Sequence, residues 1–428
     1  MSSVHVIGAG LAGLSCAVRI DAAGLNVTVH EAAGYAGGRC RSYLDSKLDR
    51  RIDNGNHLLL SGNRSALAYL SEIGAADSLV APEGAGVAGA PPALKIGGTP
   101  PCVPPGFAFL DLENGGRWTV PAGLSCLLRV PGGRFRDYLD GFRLSRAGPG
   151  ATVAGILDVE APVFRNFWEP LCVGVLNISA EEGAASLMAA VLGETLGLGA
   201  AACSPRVVRE GLSESFILPA LKKLENKVLF NHRLKSIELS VDKAASLDFG
   251  GGDNVVLGDG DHVVLAVPPL TAADLIPGLE APRGSRAIVN AHFLMEEKRS
   301  SVSAGVSLLG LVGGVSQWLF VRGGIASVTI SAADHLAGES NEVLAGRLWP
   351  EVAMALGLGG APMPPVRIVK EKRATFAQTP EEIMRRPGPV TKWRNLLLAG
   401  DWTNTGLPAT IEGAIRSGQN AAAEIISG

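Results

Sequence analysis

Val4-His5-Val6-Ile7 reads as a short buried strand, and the hydrophobic period changes immediately after it. GAGLAG (8–13) forms a turn. LSCAVRIDAAG (14–24) then carries apolar residues at helical spacing up to Gly24, where a left-handed helix cap favours glycine. NVTVH (26–30) alternates in strand fashion and ends at Glu31. Strand, Gly-rich turn, helix and strand therefore make one βαβ unit at the start of the chain. Residues 81–106 are Pro/Gly-rich and low in charge, which predicts an excursion out of this first domain. From about 117 to 200 the pattern is largely helical. Residues 228–239 and 255–267 return to short strands, 285–335 alternates, and NLLLAGDWTNTGLPATIEGAIRSGQNAAAEII predicts a strand, a loop and a long helix.

One stretch invites a membrane reading. Ser300–Val321 carries no charge and is long enough to span a bilayer. Its glycines, Gly305, Gly310, Gly313 and Gly314, and its Ser and Gln residues favour two strands around a Gly-Gly turn instead.

Composition narrows the class. A chain of 428 residues with 47% hydrophobic and 18% charged positions has a large interior and implies two domains or an interleaved pair. Its 55 glycines are nearly twice ordinary usage and imply many tight turns and close backbone approaches. A formal charge of −3 argues against a dedicated nucleic-acid binder. The six cysteines include no CxxC pair, so reduced thiols are expected rather than a metal knuckle or redox dithiol. No metal site and no secretory signal are expected.

Gly8-x-Gly10-x-x-Gly13 fits the dinucleotide pattern. The first glycine makes the turn, the second admits a pyrophosphate, and the third lets helix pack on strand. Glu31 ends the next strand, where an acid can accept hydrogen bonds from ribose hydroxyls. GYAGGRCRS (34–42) follows directly, and its arginine could fork onto phosphate. No second dinucleotide unit for NAD(P)H is visible, because GGDNVVLGDGDH (251–262) has the wrong spacing and opens no helix.

These motifs, with LLLAGDWTNTGLPATIEGAIRSGQNAA, resemble the flavin amine oxidase and phytoene desaturase superfamily. DNGNHLLLSGN (53–63), NFWEPLCVGVLNIS (166–179), REGLSESFILPAL (209–221), VVLAVPP, SQWLFVR and EKRATFAQTPE (371–381) look like the bacterial hydroxysqualene dehydroxylases within it, over most of the chain. The resemblance implies an α/β, two-domain (α+β) architecture: a Rossmann-like FAD-binding domain of the amine oxidase/GDI type interleaved with a substrate-binding domain of mixed sheet and helices. The expected division assigns 1–80, 201–275 and 390–428 to FAD and 81–200 and 276–389 to substrate. It implies non-covalent FAD held by Gly8, Gly10, Leu11, Ala12, Gly13, Glu31, Ala32, Gly38 and Arg39. Gly55, Asn56 and His57 would pass the isoalloxazine, and Leu234 would touch the adenine through its backbone. Gly400, Asp401, Pro408, Thr410 and Ile411 would complete the site, with the last helix beginning near Pro408.

The implied reaction is reductive dehydroxylation of a C30 isoprenoid to squalene, with an external reductant such as NAD(P)H. The leaving hydroxide needs a proton and the developing allyl cation a dry apolar pocket. His57 is the first candidate acid, since an ordinary imidazole titrates near neutrality. Glu169 and Glu214 follow, provided burial raises their pKa. Phe164, Phe167, Trp168, Leu171, Val173 and Leu176 would line a substrate tunnel or form ordinary helical core. Two other readings stay open: a carotenoid-type desaturase running the oxidative direction, and a non-enzymatic isoprenoid carrier of GDI-like fold. A water-insoluble substrate implies access from a membrane; with no convincing transmembrane helix in the sequence, a soluble cytoplasmic protein or one peripheral at the inner membrane is expected, docking by an apolar patch around the tunnel mouth, with the 81–106 excursion as one candidate surface.

Overall fold

The computed structural model describes residues 2–84, 106–121, 129–295 and 306–428. Most of the 81–106 excursion, and Ser300–Gly305 of the uncharged stretch, lie outside the described residues. The N-terminal pattern folds as its periods require: strand β1 (Ser3–Ile7), helix α1 (Leu11–Ala22) and strand β2 (Asn26–His30). They begin a parallel five-stranded sheet in the order 228–229, β2, β1, 262–265, 396–398. A parallel sheet is covered on both faces, and Val4, Val6 and Ile7 are accordingly buried. The C-terminal helix (Ile411–Ser427) crosses α1 so closely that a Cβ on Gly418 would collide with the carbonyl of Ala12. Ser15 Oγ donates to Ile415 O across the same crossing, at 3.0 Å. Thr410 is this helix's N-cap, so it starts three residues after Pro408; the Thr410 hydroxyl accepts from Gly413 N at 3.1 Å.

A second sheet is larger and mostly antiparallel, in the order 366–376, 285–294, 325–330, 318–322, 307–312, 106–111, 117–121, with 83–84 beside 307–312. The described part of the uncharged stretch is the hairpin 307–312/318–322, turning at Gly313 (φ 79°). Residues 117–121 are a strand rather than the start of the helical region, since Arg-Trp-Thr-Val pairs with 106–111. The strand at 366–376 is the element whose alternation the sequence reading overlooked. Helices over 169–176 and 185–194 pack beside this sheet. Phe164, Phe167, Trp168 and Leu176 sit there in a closed cluster with Leu144, Val153 and Met188, as helical core.

Two motifs far apart in sequence interlock here. Asn177, in the left-handed conformation (φ 52°) that ends helix 169–176, donates to Thr375 Oγ1 at 3.0 Å and accepts from Ala332 N at 2.7 Å. Gln378, fully buried, donates to Leu176 O at 2.6 Å and accepts from Ala409 N at 2.8 Å. The helical layer is thus tied to the loop that leads into the C-terminal helix. Gln378→Leu would strand two buried backbone groups, and urea denaturation should show a loss of about 2 kcal/mol. An unchanged midpoint would mean that the interlock contributes nothing.

Candidate functional site

Each glycine of the first motif meets a different steric demand. Gly8 has φ 109°, and a Cβ there would lie 2.6 Å from the Ala266 carbonyl oxygen. A Cβ on Gly13 would collide with Gly8 O, so this glycine sets the helix–strand distance. A Cβ on Gly10 would meet nothing within 4 Å, and Gly10 is the N-cap of α1 with no side chain capping the helix start. Open space in front of uncapped helical N–H groups fits a pyrophosphate. Leu11 and Ala12 form the first turn behind it. Glu31 is docked on this turn, its carboxylate accepting from Ala9 N and Ala33 N, both at 2.8 Å, with Ala32 between. Segment 231–232 runs alongside through Asn231 N→Ala33 O and His232 N→Glu31 O. Leu234 follows it with its side chain buried in a cluster with Ile7 and Leu265.

The second motif closes over the first. Gly37 N donates to Ala9 O at 2.8 Å, and a Cβ on Gly38 (φ 55°) would sit 3.7 Å from Gly10 Cα. Arg39 reaches across to Asp401, pairing at 2.8 Å, and also donates to Ala374 O. In this arrangement the guanidinium joins the N- and C-terminal motifs. Gly400 N donates to Ser417 Oγ at 2.8 Å. A residue with no sequence signal braces this loop: buried Arg386 donates to the carbonyls of Asp401 (3.2 Å) and Thr403. Burial pulls its pKa down to about 10, with Asp401 opposing.

The polar passage at 53–57 is seated on the large sheet. Asp53, 3% exposed, accepts from Ser42 Oγ (2.6 Å), Leu212 N (3.0 Å) and Arg322 (2.5 Å). Asn56 Nδ2 donates to Thr329 Oγ1 at 3.0 Å, and Thr329 Oγ1 donates to Asn290 Oδ1 at 2.7 Å. Asn290 lies under Gly55, where a Cβ would approach its Nδ2 to 3.1 Å. Strand alternation explains the match: Asn290 pairs with Thr329 and His292 with Ser327, so four polar residues face the passage from adjacent strands.

His57 Nδ1 lies 3.0 Å from Gly55 O; a carbonyl only accepts, so Nδ1 carries the proton and Nε2 a lone pair. Burial lowers the His57 pKa, with Gly55 and Asp53 opposing, so the ring is neutral at pH 7. The expectation of an imidazole titrating near neutrality is therefore corrected downward. Glu214, in a π-helical turn over 213–217, pairs with Arg51 at 2.7 Å, and its Oε2 is buried without a partner. Arg51 and His57 line one small pocket, which brings these two candidates together. Glu169 has the raised pKa expected of an acid, from burial and then Glu181, but its charged neighbours Arg165 and Glu181 belong to the helical layer.

Beneath the Glu31 end, His5, His30 and His232 form a row ending on Asp253, with ring contacts of 3.1, 2.8 and 2.7 Å. One N–H per ring satisfies every contact. Burial, reinforced by the neighbouring imidazoles, depresses His30 to about 3, and burial depresses His292 to about 4.

A model of flavin-containing amine oxidoreductases matches residues 11–426. A hydroxysqualene dehydroxylase of Rhodopseudomonas palustris is 44% identical over 98% of this chain and 97% of its own length. One from Zymomonas mobilis is 43% identical over 99% and 98%. Among solved structures, a putrescine oxidase double mutant superposes with TM-score 0.71 at 15% identity over the whole of both chains. Cyclohexylamine oxidase from Brevibacterium oxydans gives 0.70 at 17%, covering 100% of this chain and 99% of its own.

Two outcomes are expected. Compared as flavin-free proteins, Gly10→Val should melt as the native chain does while failing to take up flavin, whereas Gly13→Ala should lose about 1–3 kcal/mol of stability through overpacking; equal behaviour of the two would refute the division of roles. Separately, the unfolded chain takes up protons at histidine below about pH 6.5 while folded His30 and His292 resist. Stability should therefore fall with pH through that point, by about 2 kcal/mol per histidine at pH 5. His292→Gln should flatten the slope measured by denaturation at pH 7 and pH 5.

Proposed function

We propose that this chain, which belongs to the flavin-containing amine oxidoreductases and within them to the hydroxysqualene dehydroxylases, reduces hydroxysqualene to squalene as an FAD-dependent oxidoreductase of squalene and hopanoid biosynthesis. The observation that carries the substrate is the full-length identity of 43–44% to three such enzymes. A phytoene desaturase match spans only 14% of this chain, so the oxidative direction is not adopted. The open space at Gly10, the docked Glu31 and the Arg39–Asp401 bridge speak for a dinucleotide-binding enzyme over an empty carrier.

An allylic alcohol plus two electrons and two protons gives the hydrocarbon and water. Bound reduced FAD supplies the hydride equivalent. The chain's own residues do the rest. Gly8, Gly10, Leu11, Ala12 and Gly13 cradle the pyrophosphate, Glu31 and Ala32 hold the ribose, and the backbone at Leu234 borders the adenine. Gly38, Arg39, Gly400 and Asp401 would close the far side, and Pro408, Thr410 and Ile411, at the last helix's N-terminus, would help hold the flavin, where the helix dipole favours negative charge. Gly55, Asn56 and His57, on a passage held by Asn290 and Thr329, would help hold the flavin.

His57 protonates the departing hydroxide; Glu214, linked to the same pocket through Arg51, is the second candidate and Glu169 the third. The electrons come from an external reductant such as NAD(P)H. The five-stranded sheet draws its strands from 1–80, 201–275 and 390–428, and the large sheet from 81–200 and 276–389, which supports those segments as the two domains. Among the described residues no helix is long and apolar enough to cross a membrane. Such a chain would work in the cytoplasm and meet its substrate peripherally at the inner membrane.

Anaerobic incubation with hydroxysqualene and a reductant should yield squalene by mass; a product two hydrogens lighter, formed only with an oxidant, would favour desaturation instead. Because the His57 pKa lies below its ordinary value, the rate should rise as pH falls from 8 to 6, and His57→Ala should keep its flavin while slowing about 10²-fold. A flat pH profile together with retained turnover would remove His57 from the mechanism.

A further inference from the structure

A small pocket lies where residues 51–57 meet the large sheet, with an apolar wall that includes Val207, Val306 and Phe320 and a polar wall that includes Asp53, His57 and Ser327. About 30 Å³ of it is open to the centres of water molecules, enough for a hydroxyl group or a water or two. The polar wall is mostly committed. Asp53 accepts from Ser42, Leu212 N and Arg322, and the His57 Nδ1–H is taken by Gly55 O.

Ser327 differs. His292 Nδ1 stands 2.7 Å from Ser327 Oγ, and His292 Nε2 is buried with no partner. If the His292 proton were on Nε2, it would be a buried donor with nothing to bond, the rarer and costlier arrangement. The proton therefore sits on Nδ1 and is donated to Ser327 Oγ. Among the described residues, that leaves the serine's own hydroxyl proton uncommitted beside the pocket's apolar side chains, 7% exposed and ready for an acceptor.

We propose that this pocket receives the hydroxyl group of the isoprenoid alcohol, with Ser327, oriented by His292, as the donor that distinguishes the alcohol from the hydrocarbon product. The proposal rests on the dehydroxylase reading and adds the element that selects substrate over product. Val207, Val306 and Phe320 take the adjoining hydrocarbon, so a chain of the right shape without the hydroxyl still binds, only more weakly.

The test is equilibrium binding to the oxidised holoenzyme, which cannot turn over, read by quenching of protein fluorescence with hydroxysqualene and with squalene. The native protein should bind the alcohol about tenfold tighter, the worth of one well-placed hydrogen bond. Ser327→Ala should erase that preference while leaving squalene affinity and bound-flavin absorbance unchanged, and Ser327→Thr should restore most of it. A preference that survives in Ser327→Ala overturns the proposal. So does an equal loss for both ligands, which would mark Ser327 as merely structural, or the absence of any preference in the native protein. Squalene formation by the native enzyme under reducing conditions is read separately, so failure here is distinguishable from failure of the dehydroxylase reading.

Discussion

A buried polar seam decides what the rest of this structure can do. The backbone at Asn54, Gly55 and Asn56 has no regular partner strand beyond Asp53 and would be costly to bury alone. Asn54 is buried and Gly55 and Asn56 are half-buried because Asn290 and Thr329 on the large sheet meet them, and because Gly55 offers no side chain to hold the two surfaces apart. Asp53 and Arg322 close one end with a nearly buried ion pair whose carboxylate also accepts two further hydrogen bonds. Removing one partner of such a set leaves an unpaired buried charge. The seam therefore fixes register between the nucleotide-type sheet and the large sheet, and with it where His57, Ser327 and the apolar wall lie.

The same logic recurs at the two ends of the chain. Gly13 against Gly8 O and Gly418 against Ala12 O are backbone approaches that only glycine permits, and together they hold the first and last helices in one position. Arg39–Asp401 then joins the two motifs that the proposed cofactor must touch together. Arg386 and Gln378 stiffen the loop between them from outside, each by bonding backbone carbonyls or amides rather than side chains. A preorganised loop of this kind lowers the ordering cost of binding a long cofactor.

Much of this was legible in the residues because the signals are local. Gly8, Gly10 and Gly13 fall within one turn, and each has a steric reason that spacing alone exposes. Glu31 follows from the length of a helix and a strand. The Gly313-Gly314 hairpin follows from strand period and turn chemistry. What was not legible depends on partners outside the local segment, from 17 to 155 positions away. Nothing near Arg386, Gln378 or Asn177 says that their targets are Thr403, Ala409 and Ala332. Asn290, His292, Ser327 and Thr329 did carry a signal: polar residues at alternate positions of strands otherwise full of Val, Ala and Ile, a pattern that marks one polar face. The aromatic run at 164–168 shows the reverse limit, since helical spacing fits a packed core as well as a tunnel wall.

The central claim is that a hydrogen from the reduced cofactor replaces the hydroxyl at one carbon of the isoprenoid. Anaerobic reduction of the protein in D2O, followed by a single turnover with hydroxysqualene and mass analysis of the product, tests it directly, because hydrogen on reduced flavin nitrogen exchanges with solvent. The account predicts squalene carrying a single deuterium, formed mole for mole with oxidised flavin. Squalene without deuterium, or flavin that stays reduced, would contradict it.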